Sequence, residues 1–489
     1  MIDVKILLIS TYELGRQPFG IASPAAVLHE GGHEVACLDL SVQRLDPAAV
    51  KHADLIAFYL PMHTATRIAL AALDRVAEEN PAAHLCAYGL YAPASGTVLR
   101  ARGVQTILGG EFEPGLLRLA ARLAMDVSDS RRTADSWQTA SRHPPVTTHR
   151  YGATAPAGPQ QPEPEISLER QRFVVPRRAG LPPLNEYAHL VDTDGSHRTV
   201  GYTEASRGCK HLCRHCPVVP VYGGRFRIVQ ADVVLADIEQ QVAMGAQHIT
   251  FGDPDFFNGP SHAVDIVRAL HTRHPALTYD VTIKIEHLLR HDDLLETLRE
   301  TGCALVTSAV ESIDDAILEK LDKGHTAADF ERVVERCREV GLALQPTFVA
   351  FTPWVTLEGY EEMLATIARL DLIDNVPSIQ LAIRLLIPAG SRLLELDEVR
   401  ELVGAFDPAM LGYPWNHRDP RVDALQRDLQ ELVQAAAADA ERREVFLRAW
   451  ETLQTALGET GPAMPRIPQI PPPGRPRTTI PYLSEPWYC

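Results

Sequence analysis

The stretch SRGCKHLCRHCP, residues 206–217, gathers Cys209, Cys213 and Cys216 into one C-x3-C-x2-C window of a 489-residue chain that holds 8 cysteines in all. The other five, Cys37, Cys86, Cys303, Cys337 and Cys489, are scattered. That is not the framework of a secreted disulfide protein, and a reducing compartment keeps such residues as thiols. Three thiolates on one short loop hold a soft metal but leave one position of a four-ligand centre unfilled. Two readings follow. An iron–sulfur cluster on three cysteines exposes its fourth iron to an outside ligand, whereas a structural zinc would need His211 or His215 to complete a Cys3His set.

The surroundings of the loop give it a place in a fold. RTVGYTEA lies just before it, and QHITFGD, TYDVTIKIE, ALVTSAVES, ALQPTFVAF and SIQLAIRLLIP follow as further strand candidates, with helical segments such as DVVLADIEQQVAMG between them. Six strand and helix units in succession predict a barrel, or most of one, over residues 197–395. Catalytic groups of such barrels sit at strand C-termini, where the cysteine loop falls. Residues 396–460 read as helical and 461–489 as a Pro-rich tail that does not fold alone.

Upstream, KILLIS, HEVACLDL, ADLIAFYLP, AHLCAYG and VQTILGGE alternate with helical periodicity. That pattern predicts an α/β, doubly wound parallel sheet over residues 1–126, with ligand-binding loops at its carboxyl edge. Residues 127–196 read as a flexible Ser-, Pro- and Gln-rich linker followed by a more ordered bridge. The formal charge of −16 argues against a protein that binds nucleic acid by broad phosphate neutralisation. No apolar run approaches the roughly 20 residues of a membrane span, and no basic and apolar leader is present, so the expected location is the cytoplasm.

The segment RGCKHLCRHC is similar to the signature of the radical S-adenosylmethionine (SAM) superfamily, whose loop binds a [4Fe-4S] cluster after the first strand of a partial (βα)6 barrel. The resemblance implies that Cys209, Cys213 and Cys216 are the cluster ligands and the catalytic centre. It implies that SAM chelates the open iron, and that one electron cleaves it to methionine and a 5′-deoxyadenosyl radical. By the same resemblance Asp253 in FGDPDFF would hold the amino end of SAM and Glu311 in SAVES its ribose hydroxyls. Lys284 and Glu286 in TIKIEH, and Arg384 in LAIRLLIP, would reach the barrel mouth. KLDKGHT, residues 320–326, also resembles the family, without an assigned chemistry.

The doubly wound domain ahead of such a barrel resembles the cobalamin-binding, Rossmann-like domain of one radical SAM subgroup, on the segments LHEGGHEV and ILGGEFE. This implies bound cobalamin, with Gly109, Gly110 and Glu111 facing it. No D-x-H-x-x-G follows the first strand, so no histidine is offered as lower axial ligand. The implied reaction is methylation of a small-molecule substrate, with a donor such as flavodoxin or ferredoxin supplying electrons. The C-terminal LSEPWYC resembles the CUAEP/CCAEP-tail radical SAM proteins, which leads to the expectation of a chain truncated at a selenocysteine codon after Cys489. A paired thiol and selenol there opens an alternative, transfer of another SAM-derived group to sulfur, selenium or arsenic. The competing class is a non-enzymatic iron–sulfur redox or metal-sensing protein.

Overall fold

The computed structural model describes residues 4–125, 163, 165–436, 442–458 and 480–485. These divide into two compact units, one built from the chain up to Tyr12 with Pro18–Leu181, the other from Glu13–Gln17 with Pro182 onward.

In the first unit β1 (Lys5–Ser10), β2 (Glu34–Asp39), β3 (Leu55–Tyr59), β4 (His84–Tyr88), β5 (Thr106–Gly110) and β6 (Ile166–Ser167) form a parallel sheet. Its order is β2-β1-β3-β4-β5-β6, so the winding direction reverses between β1 and β3. Alternate residues of each strand reach opposite faces. Ile6, Leu8, Leu55, Ala57, Cys86 and Tyr88 pack with Ile21, Ala25 and Leu28 of helix Phe19–Glu30 and with Leu116 and Leu119 of the helix over 113–125. Leu7, Ile9, Ile56 and Phe58 are buried on the other face. Burial on both faces is why these strands read as continuous apolar runs. The edge strand β6 closes on Gly110, whose φ is +73° and where a Cβ would lie 2.2 Å from the Ser167 carbonyl oxygen. Only glycine fits there.

The second unit contains β7 (His189–Val191), β8 (His197–Thr203), β9 (Ser206–Gly208), β10 (Phe226–Ile228), β11 (His248–Phe251), β12 (Thr278–Thr282), β13 (Cys303–Glu311), β14 (Leu344–Phe348) and β15 (Tyr482–Leu483). Strands β8, β11, β12, β13 and β14 are parallel neighbours, separated in sequence by helices as a barrel requires. β7 and then β15 extend the sheet antiparallel beyond β8, so the described part of the tail folds against β7.

The segment SIQLAIRLLIP does not form the expected sixth strand. It holds a 3-10 turn, Ser378–Leu381, and a single parallel bridge between Phe351 and Arg384. The Gln380 side chain explains the shortening. Its Oε1 accepts from Phe348 N at 2.9 Å, where a sixth strand would have offered a carbonyl. Among the described residues no helix is long and apolar enough to cross a membrane.

Candidate metal centre

The cysteine loop leaves the C-terminal end of β8 and is stapled shut by antiparallel pairing of β9 with β10, Gly208 opposite Phe226. Gly208 sits at φ +74°, and a Cβ there would meet the Tyr222 ring at 2.4 Å and the Arg225 carbonyl oxygen at 2.5 Å. Asn258 clamps one side: its amide donates to Gly208 O and its oxygen accepts from Lys210 N, each at 3.3 Å. On the other side Arg214 donates from its backbone to Leu321 O at 2.9 Å and from Nη1 to the carbonyls of Glu319 and Lys320 at 3.0 and 2.9 Å. Those are the last carbonyls of helix Asp315–Leu321, where a guanidinium also meets the favourable end of the helix dipole. Arg392 holds Leu212 O, and Cys216 N closes on Cys213 O at 3.2 Å. The loop backbone is thus fixed by the protein's own bonds.

Two of its thiols, Cys209 and Cys216, are far from their solution behaviour. Burial pushes Cys209 up to about 11 and Cys216 up to about 12, with the charge of neighbouring cysteines adding to both. Thiols held protonated in this way become ligands when a cation's charge replaces their protons, so the set suits a metal centre. A buried ammonium stands beside them. Burial alone would lower the pKa of Lys323, but Glu311 and the nearby Cys213 and Cys216 more than reverse it.

Glu311, at the end of β13 with φ +69°, accepts on one oxygen from Lys323 Nζ at 3.3 Å and lies 3.1 Å from His215 Nε2. Burial would raise its carboxyl, yet Lys323 and His215 together bring it down to about 2. Lys284 is also buried, with Nζ 3.5 Å from Glu286 Oε2, and its charge is felt at Cys209.

The sequence candidates separate into groups. Cys209, Cys213, Cys216, Lys284, Glu286 and Glu311 lie around the loop. Asp253 is buried beneath it, one oxygen accepting from Ala205 N at 2.9 Å and the other from Ser206 Oγ at 2.5 Å. Burial pushes it up to about 7. It therefore anchors the turn ahead of the cysteines, while Asp255 is the carboxylate that meets a loop side chain, 3.6 Å from His211 Nε2. Arg384 is turned to the C-terminal region, stacked 3.5 Å over the Trp415 ring and bonded to Asp423 Oδ1 at 2.8 Å and Trp415 O at 2.7 Å. Gly109, Gly110 and Glu111 belong to the first unit, and Gln171 donates to Glu111 at 2.9 Å.

The two loop histidines have partners other than the thiols: His215 faces Glu311, and His211 Nε2 lies 3.2 Å from His287 Nε2. Lys323, Asp255 and His287 were not singled out by sequence, although KLDKGHT pointed at the first. Cys489 lies outside the described residues.

A fixed three-cysteine loop at the carboxyl edge of a parallel barrel segment defines a barrel protein with a candidate soft-metal site. Residues 203–370 match the model of the Radical SAM superfamily, and this segment is a radical SAM domain. A bacteriochlorophyllide d C-12(1)-methyltransferase of Chlorobaculum tepidum is 24% identical over 149 residues, 30% of this chain and 32% of the relative. A tRNA-2-methylthio-N(6)-dimethylallyladenosine synthase of Haemophilus influenzae is 22% identical over 202 residues, 39% of this chain and 42% of the relative. The chain thus spans about a third to two fifths of these relatives. Among solved structures, the radical SAM methyltransferase TsrM from Kitasatospora setae, with cobalamin and a [4Fe-4S] cluster bound, superposes with a TM-score of 0.60 at 17% identity, over 93% of this chain and 89% of that one. The cobalamin-dependent SAM radical enzyme OxsB gives 0.62 at 13%, over 93% and 72%. The two-part architecture, doubly wound unit and partial barrel, is therefore that of these proteins.

Proposed function

We propose that the protein is a radical SAM enzyme that binds a [4Fe-4S] cluster on Cys209, Cys213 and Cys216, cleaves SAM reductively, and uses cobalamin in its first unit to methylate a small molecule. The observation that carries this reading is the cysteine loop itself, three neighbouring thiols, one buried and two half-buried, on a backbone fixed in advance, inside the radical SAM domain and at the C-terminal end of the first parallel barrel strand. When bound, the cluster supplies a low-potential electron and one iron without a protein ligand. The chain's own residues do the rest. Asn258 and Arg214 hold the loop, Lys323 keeps a positive charge against the thiolates, and Glu311 with His215 holds Lys323 in place.

Cobalamin is supported by the fold likeness to TsrM and OxsB, and methyl transfer by the bacteriochlorophyllide methyltransferase relative. A small-molecule substrate, rather than the RNA of the synthase relatives, agrees with the charge of −16. In this reading a one-electron donor such as flavodoxin or ferredoxin reduces the cluster.

The test is anaerobic. Reconstituted and reduced protein mixed with SAM should release 5′-deoxyadenosine and methionine, and Cys213→Ala should release neither. Protein that carries an intact cluster yet leaves SAM uncleaved would sink the proposal.

A further inference from the structure

Three side chains from three successive barrel loops converge beside the cysteines without including any of them. His211 comes from the cysteine loop, Asp255 from the turn after β11 and His287 from helix Ile285–Arg290 after β12. One donor atom of each lies within 4.8 Å of the other two. His211 Nε2 is 3.2 Å from His287 Nε2 and 3.6 Å from Asp255 Oδ2. A tetrahedral ion with bonds of about 2.0–2.1 Å holds its donors roughly 3.3 Å apart.

The burial of the set leaves it short of partners. Asp255 is 1% and His287 0% exposed. Asp255 Oδ1 is spent on Phe257 N at 3.1 Å, leaving Oδ2. That oxygen lies 2.6 Å from His287 Nδ1, an ionic contact without hydrogen-bonding geometry, and with Nδ1 engaged there His287 offers its Nε2 to an ion. Buried polar atoms without a hydrogen bond are costly and rare, and a cation in contact with the carboxylate removes the deficit. Behind His211 stands Glu286, its Oε2 3.6 Å from Nδ1 and its Oε1 held by Arg290 at 2.5 Å. A carboxylate behind a ligating imidazole is a common supporting arrangement in metal sites.

We infer that His211, Asp255 and His287 form a second, mononuclear site for a divalent first-row metal ion, distinct from the cysteine centre. Two imidazoles and one carboxylate suit zinc or ferrous iron, whereas magnesium and calcium take mainly oxygen donors. Three protein donors leave an open position, which an oxygen or sulfur donor of a substrate can fill next to the cysteine loop. The inference goes beyond the proposed reaction and does not depend on it.

The experiment uses the full chain with Cys209→Ala, Cys213→Ala and Cys216→Ala, so that no cluster thiolate competes, titrated with Co(II) as probe. Stoichiometric binding is expected, with the visible d–d bands of low-coordinate Co(II) and no sulfur-to-cobalt charge-transfer band. Adding Asp255→Asn or His287→Gln should weaken binding by more than the roughly 10–100-fold that loss of an outer-shell partner costs, with the circular dichroism melting curve retained. A second measurement keeps the cysteines: cluster-loaded wild-type protein incubated with zinc should retain it through gel filtration with its iron content unchanged. No cobalt binding in the cysteine-free chain, binding that ignores both substitutions, or zinc that enters only by displacing iron would each overturn the inference. Because the cobalt readout needs neither cluster nor SAM, its failure is separate from failure of the proposed enzyme.

Discussion

Glu311 and Asp253 are both buried carboxylates at the ends of barrel strands, and their surroundings drive them in opposite directions. Glu311, paired with Lys323 and His215, falls from 4.5 to about 2. A depressed folded-state value means stability that is present above pH 4.5 and lost as the pH falls toward 2. Glu311→Gln should therefore cost about 3 kcal/mol near neutrality, with the gap from wild type shrinking through that window in urea unfolding. Asp253 rises from 3.8 to about 7, burial outweighing the bonds from Ser206 and Ala205. The folded chain then holds its proton longer than the unfolded one, so wild type loses stability between about pH 4 and 7 and Asp253→Asn should not. An equal pH slope in wild type and Asp253→Asn would contradict this account.

Gly208→Ala forces a left-handed φ and two close contacts on the residue that precedes Cys209. Left-handed strain at a non-glycine residue costs about 1–3 kcal/mol. The cysteine loop should shift and iron content after reconstitution should drop while the circular dichroism spectrum stays native. At this scale the cysteines were legible because their spacing is chemical, independent of the surrounding fold. Asp255 was not: two aspartates flank Pro254, and only the fold tells which is consumed by Ser206 and which meets the histidines.

At the scale of elements, β1 to β5 could be read from their apolar runs because parallel strands are buried on both faces. The sixth barrel strand failed for a local reason, since SIQLAIRLLIP has the same apolar run but Gln380 turns inward to cap Phe348 N. Helix starts depend on short-range chemistry of the same kind. KLDKGHT ends in Thr326, whose Oγ1 accepts from Asp329 N at 3.2 Å while Asp329 Oδ2 accepts from Thr326 N at 2.9 Å, a reciprocal cap on helix Ala327–Val340. Thr326→Ala should cost about 1 kcal/mol in urea unfolding. It should leave the pairing of Lys323 with Glu311, and so the pH slope from Glu311, as in wild type.

At the scale of the molecule, the sequence placed breaks at residues 126 and 196, whereas contacts divide the chain at Leu181 and Pro182. The difference lies in a few bonds that composition does not display. Ile166 and Ser167 add an edge strand to the first sheet, and Arg177 N reaches Ala22 O at 2.9 Å; from β7 onward the chain pairs within the second sheet. All three loop cysteines thus belong to one unit and the Gly109–Glu111 edge to the other. If the two proposed cofactors follow that division, they should be separable. The full chain with all three loop cysteines replaced by alanine should lose its iron–sulfur cluster and its 5′-deoxyadenosine production, yet keep the corrinoid absorption of wild type after incubation with hydroxocobalamin and gel filtration. Loss of corrinoid together with the cluster would place cobalamin binding under the control of the cysteine loop and overturn its assignment to the first unit.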